Sequence, residues 1–70
     1  MTLADLTEEQ RKACVGMWAD YRVVPVVITS IYQHKYVNDW VADVFDPIEG
    51  WEEHEIHSSV LTPRFDLPRA

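Results

Sequence analysis

The alternation of apolar and polar positions divides the chain into a short N-terminal helix followed by a series of strands. Thr7 and Gln10 have the spacing of a capping box, in which the hydroxyl accepts from the third amide and the Gln side chain reaches back to the cap. Acidic residues follow the cap and basic residues come later, as the helix dipole favours. The pattern predicts a helix over about residues 8–14. From about residue 15 the apolar period changes to two, which is typical of half-buried strands.

Four strands and one turn can be placed within residues 15–67. The segment Pro25–Tyr32 is apolar on both faces, so we predict a central strand with its proline at the start, where a missing amide does least harm. The link before it is short, which favours an antiparallel hairpin with the preceding strand. Strict alternation in Trp51–His57 places Ile56 on the face opposite Glu53. The predicted strands are 15–20, Pro25–Tyr32, Trp51–His57 and Arg64–Leu67, with one 3₁₀ turn at Ser58–Pro63.

The segment Tyr36–Phe45 is compatible with two structures. Its apolar residues fall at helical spacing, which supports an α+β alternative with a second helix at about 36–45. Its three valines and three aromatics favour a strand instead. The turn sequence Asp46–Gly50 that follows makes a β-hairpin with Trp51–His57 natural, and this favours the strand.

The succession of strands, with a 3₁₀ turn just before the last one, resembles the small SH3-like barrels. We therefore predict one domain over residues 1–70, mainly β (α+β): a five-stranded antiparallel SH3-like barrel over about residues 15–67 with the short helix across one end. In sequence, Cys14–Trp18 and Leu61–Pro68 resemble segments of small proteins of unassigned function encoded by actinobacterial phages and prophages. The resemblance implies a phage or prophage accessory protein and transfers no site.

The formal net charge of −6 is concentrated in one part of the chain. Seven acids and no Lys or Arg lie between Asp39 and Glu55, whereas the remaining residues carry five acids and six bases. We name residues 39–55 the acidic stretch. It predicts one acidic side of the molecule. It also disfavours nucleic-acid binding, because Lys and Arg are the groups that replace condensed counterions at phosphates.

Cysteine usage and hydropathy bear on location. Cys14 is the only cysteine, so no disulfide can form within the chain and a reducing, cytoplasmic location is expected. Its apolar neighbours predict a small buried hydrophobe rather than a nucleophile. The first ten residues lack the basic start and apolar run of a signal peptide, and no stretch approaches the ~20 apolar residues of a membrane span. We expect a soluble protein with no membrane partner.

Two patterns suggest chemistry, and both have simpler explanations. His54 and His57 are three residues apart, and on a regular strand positions three apart point to opposite faces, which disfavours a shared metal. Ser58 and Ser59 lie next to His57 like a nucleophile and its base, but the chain has two glycines in total and no Gly-rich elbow. We therefore assign no catalytic, cofactor-binding or metal-binding residue and expect no enzyme and no cofactor.

The acidic stretch also carries aromatic residues, a composition common at protein interfaces. The leading hypothesis is a non-enzymatic protein-interaction module that binds a protein partner of basic character. One alternative is a structural or assembly protein that self-associates as a homodimer through an edge strand. Another is an acidic mimic of nucleic acid. The candidate protein-binding residues are Trp40, Asp43, Phe45, Trp51, Glu52, Glu53 and Glu55.

Overall fold

The computed structural model describes all residues from 1 to 70, and β-strands make up most of its regular structure. One α-helix, α1, precedes the five strands, and the residues before it include a 3₁₀ turn. A second 3₁₀ turn separates the last two strands. In chain order the elements are a 3₁₀ turn at Leu3–Asp5, α1 Glu8–Lys12, β1 Trp18–Tyr21, β2 Val24–Gln33, β3 Trp40–Asp46, β4 Trp51–His57, a 3₁₀ turn at Ser58–Val60 and β5 Leu61–Pro63.

The five strands form one antiparallel sheet in the order β4-β3-β2-β1-β5. The prediction of a mainly β chain with a short N-terminal helix is confirmed, and β2 is the central strand as its two apolar faces indicate. The sheet has two edges, because β4 pairs only with β3 and β5 pairs only with β1. The sheet is therefore open, because no pairing between its edge strands β4 and β5 closes it into a barrel.

The alternative of a second helix at about 36–45 is wrong, because this segment contributes the strand β3. The strand begins later than Tyr36, which is exposed in the loop that precedes Trp40. Ala42 and Val44 enter the core on one face of β3, as strand alternation requires. Valines suit this position, since β-branched side chains pack well between two neighbouring strands.

The last strand is Leu61–Pro63, and the prediction of a strand at Arg64–Leu67 is wrong. Leu61 is fully buried, and β5 pairs with β1 so that Pro63 lies opposite Ala19 at the edge of the sheet. The chain then turns away after the Arg64 amide donates to the Trp18 carbonyl at 2.9 Å. The 3₁₀ turn is correspondingly shorter than the predicted Ser58–Pro63 and ends at Val60.

The predicted capping box of α1 is confirmed: the Gln10 amide donates to Thr7 Oγ1 at 3.2 Å, and the Thr7 amide donates to Gln10 Oε1 at 3.0 Å. The helix ends at Lys12, two residues before the predicted end. Gly16 has a φ of +89°, the left-handed conformation that redirects the chain into β1. β1 itself begins at Trp18 rather than near residue 15.

The core lies on one face of the sheet and is covered by the N-terminal segment. Leu3 and Cys14 are almost fully buried there, so the segment before β1 is part of the core and not an appendage. None of the helices is long and apolar enough to span a bilayer. The buried cluster comprises Leu3, Cys14, Met17, Ala19, Val26, Ile28, Ala42, Val44, Ile56 and Leu61.

Candidate functional site

The face of the sheet that points away from this core, which we name the outer face, carries three of the seven candidate residues, Asp43, Phe45 and Glu52. Directly paired residues of an antiparallel ladder share a face, so the register defines its members. The outer face comprises Trp18 and Asp20 on β1, Val27, Ser30 and Tyr32 on β2, Val41, Asp43 and Phe45 on β3, and Glu52, His54 and His57 on β4.

An apolar row crosses three strands on the outer face, β1, β2 and β3. Trp18 pairs with Val27, and Val27 pairs with Phe45, whose other neighbour is Glu52. Trp18 and Val27 are half-buried, and Phe45 is 37% exposed. Single exposed apolar residues are common, but neighbouring apolar side chains bordered by a charged residue are typical of an interaction surface. We name Trp18, Val27 and Phe45 the apolar row.

Two β-bulges flank Asp43 on its neighbouring strands. On β2 the register shifts between Ile28 and Ser30, which leaves Thr29 as the extra residue. On β4 the register shifts as well: the two steps along β3 from Ala42 to Val44 lie opposite three steps along β4, from Ile56 to Glu53. Bulges often re-aim side chains at functional positions. Here they turn polar groups of both neighbouring strands toward one carboxylate.

Asp43 accepts hydrogen bonds from both flanking strands. Its carboxylate accepts from Ser30 Oγ at 2.9 Å, from the Tyr32 hydroxyl at 3.0 Å and from the Glu55 amide at 3.1 Å. His54 Nδ1 lies 3.4 Å from the same carboxylate. Burial on its own acts to raise the pKa of Asp43, but these hydrogen bonds together outweigh it and hold the pKa below its ordinary value. We name this cluster the Asp43 network.

The bulge on β4 also overturns two sequence-based predictions. Glu53 and Ile56 lie on the same face of the strand, because they pair with Val44 and Ala42, and not on opposite faces. For the same reason His54 and His57 both lie on the outer face. The argument that these histidines point apart is therefore wrong, since the extra residue shifts the alternation by one position.

Each histidine nevertheless lies beside a different carboxylate. His54 contacts Asp43, His57 Nε2 lies 3.6 Å from Asp39 Oδ2, and His34 Nε2 lies 3.7 Å from Glu55 Oε1. No three His, Cys, Asp or Glu side chains come together as metal ligands would. These contacts place three imidazole rings beside carboxylates of the acidic stretch.

The serine–histidine pair noted in the sequence acquires an acid in the structure. Ser59 Oγ lies 2.8 Å from His57 Nδ1, and the opposite ring nitrogen faces Asp39. The Ser59 amide also donates to His57 Nδ1 at 3.1 Å, so the ring caps the 3₁₀ turn that begins at Ser58. None of these residues lines a cleft. Capping accounts for the arrangement.

A cleft of about 400 Å³ opens at the end of the sheet that carries the β1–β2 and β3–β4 turns. Its Glu53 carboxylate belongs to β4 and its Tyr21 ring to β1, although two strands separate β4 from β1 in the sheet. A hydrogen bond to Glu53 raises the pKa of the Tyr21 hydroxyl; burial and the charge of Glu53 act in the same direction, and Arg22 opposes them. We name it the Tyr21–Trp51 cleft. It is lined by Tyr21, Arg22, Val23, Val24, Trp51 and Glu53.

A second cleft of about 510 Å³ lies between the N-terminal segment and the C-terminal residues. Met17, Leu6 and Phe65 give it an apolar lining, and the buried Cys14 thiol borders it. Burial raises the pKa of the Cys14 thiol, with the charge of Arg69 opposing this. A thiol in this environment is protonated and unreactive near neutral pH, as expected for a buried hydrophobe.

The seven predicted binding residues do not form one surface. Asp43, Phe45 and Glu52 belong to the outer face, and Glu55 contributes only its amide there, as a donor to Asp43. Trp51 and Glu53 line the Tyr21–Trp51 cleft. Trp40 belongs to neither surface. It is half-buried beneath α1, where the Arg11 guanidinium lies 5.1 Å and the Lys12 ammonium 5.8 Å from the centre of its ring.

The acidic stretch also contains a buried acid that closes a turn. Asp46 is 2% exposed, and its Oδ1 accepts from the amides of Ile48 at 2.8 Å and Glu49 at 3.1 Å, which closes the β3–β4 turn. The sequence analysis missed Trp18, Val27 and Tyr21 as candidates. The alternation with buried Met17 and Ala19 indicates that Trp18 faces outward, and this signal was present in the sequence.

No protein-family model matches the chain, and comparisons with curated proteins and with solved structures return no significant match. The candidate residues are therefore identified from geometry, burial and charge alone.

Proposed function

We propose that this chain is a non-enzymatic protein-interaction module that binds a basic protein segment through its outer face. The observation that carries the proposal is the solvent-facing apolar row beside exposed carboxylates. Phe45 supplies an apolar contact on β3, and Glu52 next to it on the edge strand β4 has a side chain that is 68% exposed. Aromatic contacts surrounded by charge are the usual composition of interface hot spots.

Charge complementarity selects the class of partner. The acids near Phe45 have few bases to neutralise them, since no Lys or Arg occurs in the acidic stretch. On the neighbouring side Arg64 is already engaged, because it contacts Asp66 at 2.8 Å and Asp20 at 3.4 Å. A segment with Lys or Arg next to an apolar side chain would satisfy both parts of the surface.

The sheet edges bear on self-association, the alternative function. β4 is an edge strand with several charged residues and a bulge at Glu55, two features that natural sheets use to prevent pairing with another chain. β5 has three residues, one of which is Pro63. Both edges argue against a homodimer built by strand addition. Self-association stays a prediction, which light scattering over a range of concentrations can test.

We further propose that the sheet is that of an SH3-like barrel and that the protein acts in the cytoplasm as a phage or prophage accessory protein. Support for the barrel comes from the strand order, from the 3₁₀ turn between β4 and β5, and from the approach of Glu53 to Tyr21 across the core face. Support for a reducing compartment comes from the single buried cysteine. The phage origin rests on the sequence resemblance of Cys14–Trp18 and Leu61–Pro68.

A peptide selection tests the binding function directly. The immobilised chain is presented with a random library of displayed peptides, and we expect enriched sequences that combine Lys or Arg with an apolar residue. Phe45→Ser and Glu52→Lys should each reduce capture of those peptides about tenfold or more, because the first removes the apolar contact and the second reverses the charge beside it. Ile48→Ser is the matched control, since Ile48 is 72% exposed in the β3–β4 turn and off the outer face.

The outcomes separate clearly once circular dichroism has established that each variant is folded. Enrichment that Phe45→Ser abolishes and Ile48→Ser leaves intact supports the proposal. No enrichment, enrichment of acidic peptides, or binding that survives both outer-face substitutions contradicts it.

A further inference from the structure

We propose that the Tyr21–Trp51 cleft is a binding site for one cationic side chain, Lys or Arg, of a basic protein segment. The rings of Tyr21 and Trp51 would contact the cation and the Glu53 carboxylate would neutralise it. The inference rests on the proposed function, because the cation belongs to the partner named there. It adds a second site, at the end of the sheet rather than on the outer face.

The composition of the cleft favours a cation over other ligands. Two aromatic rings, one carboxylate, two valines and Arg22 line it. Aromatic faces carry negative electrostatic potential and attract Lys and Arg, and Trp is the strongest of them in this respect. The Glu53 charge would repel an anion, and an apolar side chain would cover that charge without neutralising it.

The walls of the cleft are held in place by the fold. Tyr21, Val24 and Trp51 all pack against the buried core, so their side chains are fixed on one side. Trp51 follows the turn that Asp46 closes, in which Gly50 has a φ of +82° and donates its amide to the Asp46 carbonyl at 2.7 Å. A site formed before the ligand arrives loses less entropy on binding.

An internal cation already lies against one of these rings. The guanidinium carbon of Arg22 is 5.7 Å from the centre of the Tyr21 ring. Arg22 is an exposed residue of the β1–β2 hairpin loop, and it adopts a left-handed φ of +59° there. The ring therefore accommodates a guanidinium in this geometry. It also follows that Arg22 competes with an incoming cation for the Tyr21 face.

Model ligands and the three tryptophans allow a site-specific test. The probes are Nα-acetyl-arginine methylamide and Nα-acetyl-lysine methylamide, whose side chains stay charged. Nα-acetyl-norleucine methylamide is the uncharged control of similar length. The indole N–H signals in ¹H–¹⁵N spectra, assigned with Trp→Phe variants, report separately on the outer face (Trp18), the α1 contact (Trp40) and the cleft (Trp51). We expect saturable shifts of the Trp51 signal by the two cationic probes alone.

Substitutions define the contribution of each charge. Glu53→Gln should weaken binding of the arginine probe by about fivefold or more, because it removes the carboxylate at nearly unchanged size. Arg22→Gln should strengthen it about threefold, because it frees the Tyr21 ring. Lys35→Gln is the matched control for Arg22→Gln, since it also removes one positive charge, from a residue whose ammonium lies 5.4 Å from the Tyr36 ring and outside the cleft.

The inference is overturned if norleucine shifts Trp51 as strongly as arginine does, if Glu53→Gln leaves the affinity unchanged, or if Lys35→Gln reproduces the effect of Arg22→Gln. Failure here is distinguishable from failure of the proposed function. Selected basic peptides that shift the Trp18 signal while no cationic probe shifts Trp51 would leave the outer-face function standing and remove the cleft. Shifts of the Trp51 signal that only the cationic probes cause and that depend on Glu53 support the cation site in the cleft.

Discussion

At the scale of single residues, Asp43 is the polar group on which the outer face depends most. Its carboxylate accepts from Ser30 and Tyr32 on β2 and from the Glu55 amide on β4, so it joins both neighbours of β3 through side-chain contacts. Hydrogen bonds to a charged acceptor contribute more than neutral ones. The same donors become unsatisfied groups if the carboxylate is removed, which makes the position sensitive to substitution.

Asp43→Asn should lower the free energy of unfolding by about 2 kcal/mol at neutral pH, because it removes the charge that these donors share. The pKa of Asp43 is lower in the folded state than its ordinary value of 3.8. The stability that its carboxylate contributes is therefore complete above pH 3.8 and is lost as the pH falls through the folded-state pKa. Urea denaturation at several pH values should thus show wild type and variant converging in acid. Asp39→Asn is the control, since that side chain is 58% exposed. Equal effects of the two substitutions would contradict the prediction.

At the scale of elements, β4 shows where sequence patterns succeed and fail. Its bounds, Trp51–His57, are those the sequence predicts, because turn residues precede it and a 3₁₀ turn follows it. The bulge was not predictable, since Glu55 has a φ of +57° and no glycine marks the position. It is set by pairing with β3 and by the Glu55–Asp43 hydrogen bond, both of which are long-range contacts. The face assignments of Glu53 and His54 failed for this reason.

Glu55→Gly should stabilise the chain by about 1 kcal/mol, because a left-handed conformation costs a side-chain-bearing residue about that much and glycine very little. Its contact with His34 is exposed and contributes little. Glu52→Gly, in regular strand geometry on the same edge, should destabilise by a similar amount. Thermal unfolding of both variants measures this difference in sign. A loss of stability in both would show that the bulge does not strain Glu55.

At the scale of the whole molecule, the mainly β fold class, the helix and the central strand could be predicted from the sequence, but the role of the chain ends could not. The sequence predicts a short helix across one end of the barrel, yet Leu3, which precedes that helix, is fully buried in the core. The C-terminal residues also fold back: Arg69 donates to the carbonyls of Val15 at 2.8 Å and Ala13 at 2.6 Å. Such contacts join residues more than 50 positions apart, and no local periodicity records them.

Because the core is small, one substitution at its N-terminal end should affect the stability of the entire chain. Leu3→Ala removes most of a fully buried side chain, which costs about 2–5 kcal/mol, whereas a domain of this length has a total stability of about 4–10 kcal/mol. We expect its melting temperature to fall by roughly 10–20 °C, with coincident loss of far-UV and near-UV circular dichroism signals, since the strands share one core. Met1→Ala, at a residue that is 70% exposed, should leave the melting temperature nearly unchanged. If Leu3→Ala instead melts like Met1→Ala, the N-terminal segment detaches from the sheet without unfolding it, and the core would be that of the five strands alone.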